Sequence, residues 1–152
     1  WSLNLQIYFL KSRFQQLLKI KNGKKTTIQD RTIYEDAHIF APNLKAMGLM
    51  NQRDFKNYQE LFELMESLIQ GPDLLIYLRS SIPNLVNKIH KRGREYENSI
   101  SIDYLSRLNE RYEAWSSTYD KGKMVIIDVD NLDFVENQED LNIIISKIDQ
   151  AL

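Results

Sequence analysis

Apolar positions along the chain recur first with the period of a helix, then of a short strand, and then alternate between the two. Leu3, Ile7, Leu10, Phe14 and Leu17 predict a first helix, which the "NGKK" stretch at 22–25 should end. "TTIQ" at 26–29 is rich in β-branched residues and predicts a short strand. A second helix carrying Ile33, Phe40 and Leu44 follows, then a loop at 47–51 and a third helix over about 52–69. "GPDLLIYLRSS" at 71–81 predicts a buried strand, and 82–91 a helix with Pro83 near its start. The charged stretch 92–99 predicts a loop, 103–119 a helix, "KMVIIDVD" at 123–130 a third strand and 137–152 a closing helix. Strands alternating with helices predict one α/β domain over 1–152. Its sheet should be parallel, covered by helices on both faces, with ligands bound beyond the carboxyl ends of the strands.

Composition narrows the function classes. A chain of 152 residues, 43% hydrophobic and 27% charged, suits one soluble domain with a real core. Lys and Arg total 20 against 21 Asp and Glu, so no global field would draw in nucleic acid or an anionic membrane, and neither is expected as a partner. Zero cysteines excludes disulfide frameworks, thiolate zinc sites and cysteine nucleophiles, and agrees with a cytoplasmic protein. No apolar run reaches the ~18 residues of a membrane span, and "WSLNLQIYFLKSRF" has no basic leader or cleavage site. A first residue of Trp1 rather than Met raises the expectation that an N-terminal part has been lost. His38 and His90 share no metal-ligand spacing with each other or with an acid pair, which predicts surface or core-edge roles.

The candidate chemistry lies at the strand ends. In "DRTIYEDAHIFA" at 30–41, Asp30 leaves the expected strand where a carboxylate can hold a hydrated magnesium ion, and Arg31 offers a planar fork of donors to phosphate or ribose oxygens. The same pair would serve equally as a helix cap with a surface ion pair. "KIHKRGR" gathers Lys88, Lys91, Arg92 and Arg94 around Gly93, where a lid could bring cations to a transferring phosphoryl group; a solvated helix end would look the same.

Six blocks in order carry a family likeness: "WSLNLQIYFLKSRF", "DRTIYEDAHIFA", "PDLLIYLRSS", "KRGREYE", "IDYLSRLNERYEAW" and "DVDNLDF". Over essentially its whole length the chain resembles the deoxyribonucleoside kinases that act on deoxycytidine, deoxyguanosine and deoxyadenosine. The resemblance implies a P-loop kinase-like three-layer fold and a homodimer. It also implies an ATP- and Mg2+-dependent transfer of phosphate to the 5′-hydroxyl of a deoxynucleoside. It places Gln6 on the nucleobase and Arg13, seven residues or about two turns on, on nearly the same helix face. Asp36 should pair with Arg13 and read the base edge, with Phe9 and Phe40 flanking the base. Asp30 should help hold magnesium, although animal members carry Glu there, and Arg31 should contact the 5′-hydroxyl and phosphates. Residues 88–99 would form the lid. Arg92 and Arg94 would close on the transferring phosphate and Glu97 would accept from the sugar 3′-hydroxyl. Lys88 stands where the family often has another cation, and Asp133 and Phe134 match the loop that frames the adenine of ATP. The Arg13 and Asp36 pair favours a purine deoxynucleoside, deoxyadenosine or deoxyguanosine, ahead of deoxycytidine and disfavours thymidine.

One departure is large. The sequence holds no G-x-x-x-x-G-K-[ST] match, and "NGKKTT" at 22–27 lacks the first glycine and the preceding strand. In the family the phosphate loop, its central strand and the catalytic carboxylate precede everything seen here. The expectation is therefore an upstream segment, or else a split or rearranged sheet and a chain that does not turn over by itself. Two further readings are a catalytically incomplete nucleotide-binding fragment or module and a nucleoside monophosphate kinase; Gln6, Arg13 and Asp36 suit an uncharged nucleoside and speak against the latter.

Overall fold

The computed structural model describes residues 1–94 and 100–152, which fall into two compact units, Trp1–Gln70 and Gly71–Leu152. The first unit opens with α1 (Ser2–Lys21), which buries Gln6 and Leu10 and places Lys19 and Lys21 in its last turn, where cations meet the negative end of the helix dipole. The strand expected at 26–29 does not form: these residues have no regular structure and Ile28 is almost fully exposed. A strand needs a neighbour to take its N–H and C=O groups, and among the described residues only 74–79 and 123–128 form a sheet, with each other.

The expected second helix is three pieces. Thr32 is extended and starts α2 (Ile33–Glu35) with a capping box. Its hydroxyl accepts from the Tyr34 N–H (3.1 Å), and the Glu35 carboxylate accepts from both the Thr32 N–H (2.7 Å) and the Thr32 hydroxyl. A single π turn, Asp36–Phe40, follows, in which the Ala41 N–H reaches back five residues to the Asp36 carbonyl, and then α3 (Ala41–Ala46). Pro42 supplies the cause: it has no N–H to give, and its ring would clash with the carbonyl four residues back in a regular α turn. Asn51 caps α4 (Gln52–Glu66) by accepting from the Asp54 N–H (2.8 Å). Phe55, Tyr58 and Phe62, at helical spacing, are its buried stripe. The regular helix stops three residues short of the expected end, in a turn at 67–68. The unit's core is built on Leu10, Ile33, Ile39 and Tyr58, all without solvent exposure, and each apolar side chain there contributes about 1.5–3 kcal/mol by leaving water.

In the second unit β1 (Leu74–Arg79) and β2 (Lys123–Asp128) pair in parallel, in register from Leu74 with Lys123 to Arg79 with Asp128. Their entry points are pressed together: a Cβ on Gly71 would stand 2.0 Å from the Lys121 carbonyl oxygen. The helices are α5 (Ile82–Arg92), α6 (Ile102–Thr118) and α7 (Gln138–Ala151). Ile127, Val129 and Ile144 form a buried cluster with Val125, Leu132, Phe134 and Ile148 packed against it. On the β1 side Tyr77 stacks on Tyr112 of α6 at 5.6 Å and donates its hydroxyl to Glu113 (2.9 Å). The sequence suggests a strand buried on both faces, but Ile76 and Leu78 are 38% and 42% exposed. The two-residue period of the strand turns them to the face opposite Leu75 and Tyr77.

Candidate functional site

In the first unit α1 presents Gln6, Phe9, Leu10 and Arg13 at spacings of three, four and seven, which puts them on one face. Arg13 donates from Nη1 to Oδ2 of Asp36 at 2.6 Å, and these side chains are only 14% and 3% exposed. The Phe9 ring lies 5.4 Å from the guanidinium, so the pair is fixed from the aromatic side as well. Burial drives the Asp36 carboxyl up to about 6, outweighing the downward pull of Arg13, and the neighbouring Glu35 charge adds to the rise. Gln6 is 5% exposed, and its Oε1 has no hydrogen-bond partner among the described residues. An acceptor buried in that state is costly unless something donates to it.

Arg31 enters this unit by an unusual route. Its φ of 63° is left-handed, a conformation that costs a residue with a Cβ about 1 kcal/mol or more, and its Cζ sits 4.7 Å from the centre of the Phe40 ring. The π turn, which carries both Asp36 and Phe40, thus aims one at Arg13 and the other at Arg31. Asp30, one residue earlier, is exposed and its carboxylate has no ion pair or hydrogen bond among the described residues. A single free carboxylate fits an ion such as magnesium, which keeps most of its water and takes one or two protein oxygens. No group of three or more ligating side chains occurs among the described residues.

The second unit brings Lys88, Lys91, Asp133 and Phe134 together. Lys91 Nζ pairs with Asp133 Oδ2 at 3.2 Å, while Lys88 Nζ lies 5.2 Å from the centre of the Phe134 ring and within 3.4 Å of the Val129 carbonyl oxygen. The Asp133 N–H donates to Asp140 at the start of α7 (2.8 Å). The Lys91 ammonium and backbone N–H groups hold the Asp133 carboxyl below the usual carboxylate range. His90, Lys91 and Arg92 lie in the last turn of α5, which Gly93 ends in a left-handed cap (φ 65°). Arg92 and Arg94 are exposed on either side of it. Glu97, expected to accept from the sugar, lies outside the described residues.

Three residues escape sequence reading. Tyr58, fully buried on α4, has a hydroxyl without a partner among the described residues, and burial together with the charge on Asp36 raises its phenol. Asn43 is buried with its Oδ1 unpartnered among the described residues; both positions look like ordinary amphipathic-helix residues in the sequence. Asp130 lies just beyond β2 and accepts on Oδ1 from the Ser80 hydroxyl (2.8 Å), the Ser81 N–H (2.8 Å) and Asn84 Nδ2 (3.0 Å), which hold its carboxyl far below the usual range. Its sequence signal is slight, a second acid after "VIID".

Comparison with known proteins assigns the chain to a family. The family profile described as deoxynucleoside kinase matches residues 1–152. A deoxyadenosine/deoxycytidine kinase of Bacillus subtilis is 36% identical over 150 residues, 97% of this chain and 69% of that one. A deoxyguanosine kinase of Lactobacillus acidophilus is 34% identical, covering 95% of this chain and 66% of its own length. The chain thus spans about two thirds of these curated relatives. A structure of deoxyadenosine kinase from M. mycoides with dCMP and dCDP bound superposes with a TM-score of 0.80 at 29% identity, over 97% of this chain and 73% of that one. The chain belongs to the deoxynucleoside kinase family, whose members are phosphate-transferring enzymes.

Proposed function

We propose that this chain carries the nucleoside-recognition and lid residues of an ATP-dependent deoxynucleoside 5′-kinase, with deoxyadenosine or deoxyguanosine favoured, deoxycytidine accepted and thymidine disfavoured. The observation that carries the reading is the buried Arg13 and Asp36 pair on the same unit as the orphaned Gln6 acceptor. A buried charge pair with spare acceptors suits the polar edge of a base that has amino groups to donate. A site built this way rejects a base that leaves those groups unmatched far more strongly than an apolar pocket could. Relatives named for deoxyadenosine, deoxycytidine and deoxyguanosine support a shared recognition mode without separating the three.

In this reading Gln6 and Asp36 bond the base, Arg13 holds Asp36 in place, and Phe9 and Phe40 flank the ring. Arg31 meets the 5′-oxygen and the phosphates, and its left-handed backbone is strain retained where it positions a charge. A bond forms between the 5′-oxygen and the γ-phosphorus as the bond to the β,γ-bridging oxygen breaks. ADP leaves, and the hydroxyl proton passes to a general base. Arg92 and Arg94 supply positive charge to the transferring group, Glu97 takes the 3′-hydroxyl, and Lys88, Asp133 and Phe134 frame the donor base. Asp30 would hold Mg2+ through water, and the ion neutralises donor phosphate charge. Both units are read as parts of one domain over 1–152 with a lid at about 88–99, in a cytoplasmic homodimer.

The test is ATP- and magnesium-dependent phosphorylation of deoxyadenosine, deoxyguanosine, deoxycytidine and thymidine by the full-length protein. Turnover of the first three with little on thymidine is expected. Nucleoside binding without turnover would replace this reading with that of a nucleotide-binding module, and equal turnover of thymidine would refute the roles of Arg13 and Asp36.

A further inference from the structure

The second unit contains a carboxylate that none of the roles above uses. Ser81 stands at the N-cap of α5, yet its own side chain makes no capping bond. The N-terminal N–H groups of a helix need an acceptor from somewhere. Asp130 provides it from another element: the Ser81 N–H, the Ser80 hydroxyl and Asn84 Nδ2 all converge on its Oδ1, and Asn84 also reaches the Asp130 carbonyl (3.3 Å). The anionic carboxylate also lies at the positive end of the helix dipole. The same helix meets the same loop twice more, through Lys88 with Val129 and Phe134 and through Lys91 with Asp133. Val129 itself is tied to β1 by its N–H to the Arg79 carbonyl (2.9 Å).

We propose that Asp130 is a positioning residue that locks the first turn of α5 to the loop 129–134, so that the cation-bearing helix and the donor-base loop hold one geometry. Three attachments spaced along α5, at Ser81–Asn84, Lys88 and Lys91, constrain it where one would leave it free to pivot. Of these, the Asp130 attachment has the most hydrogen bonds and is the one at the N-terminal end. Without it α5 is held only near Lys88 and Lys91 and can tilt about them, which changes how Lys88 meets Phe134. The inference rests on the proposed kinase reading for its consequence, since Lys88, Asp133 and Phe134 are there assigned to the donor nucleotide.

All three side-chain bonds fall on one oxygen, so Asp130→Asn can keep the acceptor where Asp130→Ala cannot. In the full-length protein Asp130→Ala is expected to raise the KM for ATP by roughly five- to tenfold, the scale of a lost cap, while the KM for the deoxynucleoside stays within about twofold. Asp130→Asn should restore most of the ATP KM. A merely structural role would lower the active fraction and leave both KM values unchanged, and that result overturns the proposal. If the Ala variant does not fold, Asn84→Ala removes one donor and leaves Asp130 intact; its ATP KM should rise, and an unchanged value there is equally fatal. Amide exchange reads the coupling without catalysis: Asp130→Ala should speed exchange in the first turn of α5 and in 132–137 together. Faster exchange at Ser81 alone overturns the lock. A wild-type protein that phosphorylates no deoxynucleoside would sink the kinase reading, while this exchange pattern would still decide the lock.

Discussion

If Asp36 reads the base as proposed, its carboxyl links fold stability and substrate recognition with opposite signs, and pH separates them. In the folded chain it takes its proton at about 6, against 3.8 for a free side chain. Between those values the folded state holds the proton and the unfolded state does not. Stability from this group therefore rises as pH falls from about 7 towards 4. At ~1.36 kcal/mol for each pH unit between the two values, the full gain is on the order of 3 kcal/mol. Base reading runs the other way, because it needs the ionised carboxylate paired with Arg13. The KM for deoxyadenosine should be flat above about pH 6 and rise about tenfold per unit below it. The assay is steady-state kinetics from pH 5 to 8 beside thermal melting over the same range, with Asp36→Asn as the reference. The wild type minus variant difference should show melting temperature climbing on acidification while the nucleoside KM deteriorates. If both quantities fall together, or if the variant keeps the break near pH 6, the assignment to Asp36 is wrong.

Other perturbations test the scaffold. Thr32→Ala removes the cap hydroxyl and leaves the buried Glu35 carboxylate short of a donor, so a loss of roughly 1–2 kcal/mol and a melting temperature lower by about 2–4 °C per kcal/mol are expected by calorimetry. Arg31→Gly relieves a left-handed backbone and should leave stability unchanged or raise it by up to about 1 kcal/mol while kcat/KM collapses; a clear loss of stability would show that Arg31 supports the fold through Phe40. Gly71→Ala places a methyl against the Lys121 carbonyl and should cost about 1–3 kcal/mol in denaturant unfolding, with no effect expected if the entry to the sheet can spread.

The helices with long apolar stripes were legible because periodicity is a property of the sequence itself. Positions such as Phe55, Tyr58 and Phe62 face inward as their spacing requires. The strand at 26–29 was not legible, because Thr26 to Gln29 have strand-forming side chains but a strand is made by its neighbour. The capping box at Thr32 and Glu35 is present in the sequence as T-x-x-E, directly after the Asp30 and Arg31 pair. Spacing alone left Arg13 as one polar position on an amphipathic helix; the family resemblance implied its pairing with Asp36, and the fold places the two 2.6 Å apart although they are 23 positions apart in the chain. Asp130 left only a slight signal, because its three donors come from a strand end and helix start some 50 residues away.

The wide turn at 36–40 works like an extra tooth in a gear. Each residue of an α-helix advances the face by about 100°, so one surplus residue decides which way everything before it points relative to everything after it. Pro42 imposes that surplus, and through it Asp36 is clocked onto Arg13 by a side chain with no polar group to offer. A chain with an ordinary residue at 42 would be free to wind tightly and carry the carboxylate off its partner. The chemical identity of the acid that pairs with Arg13 is thus written at one position and its direction at another, six residues on.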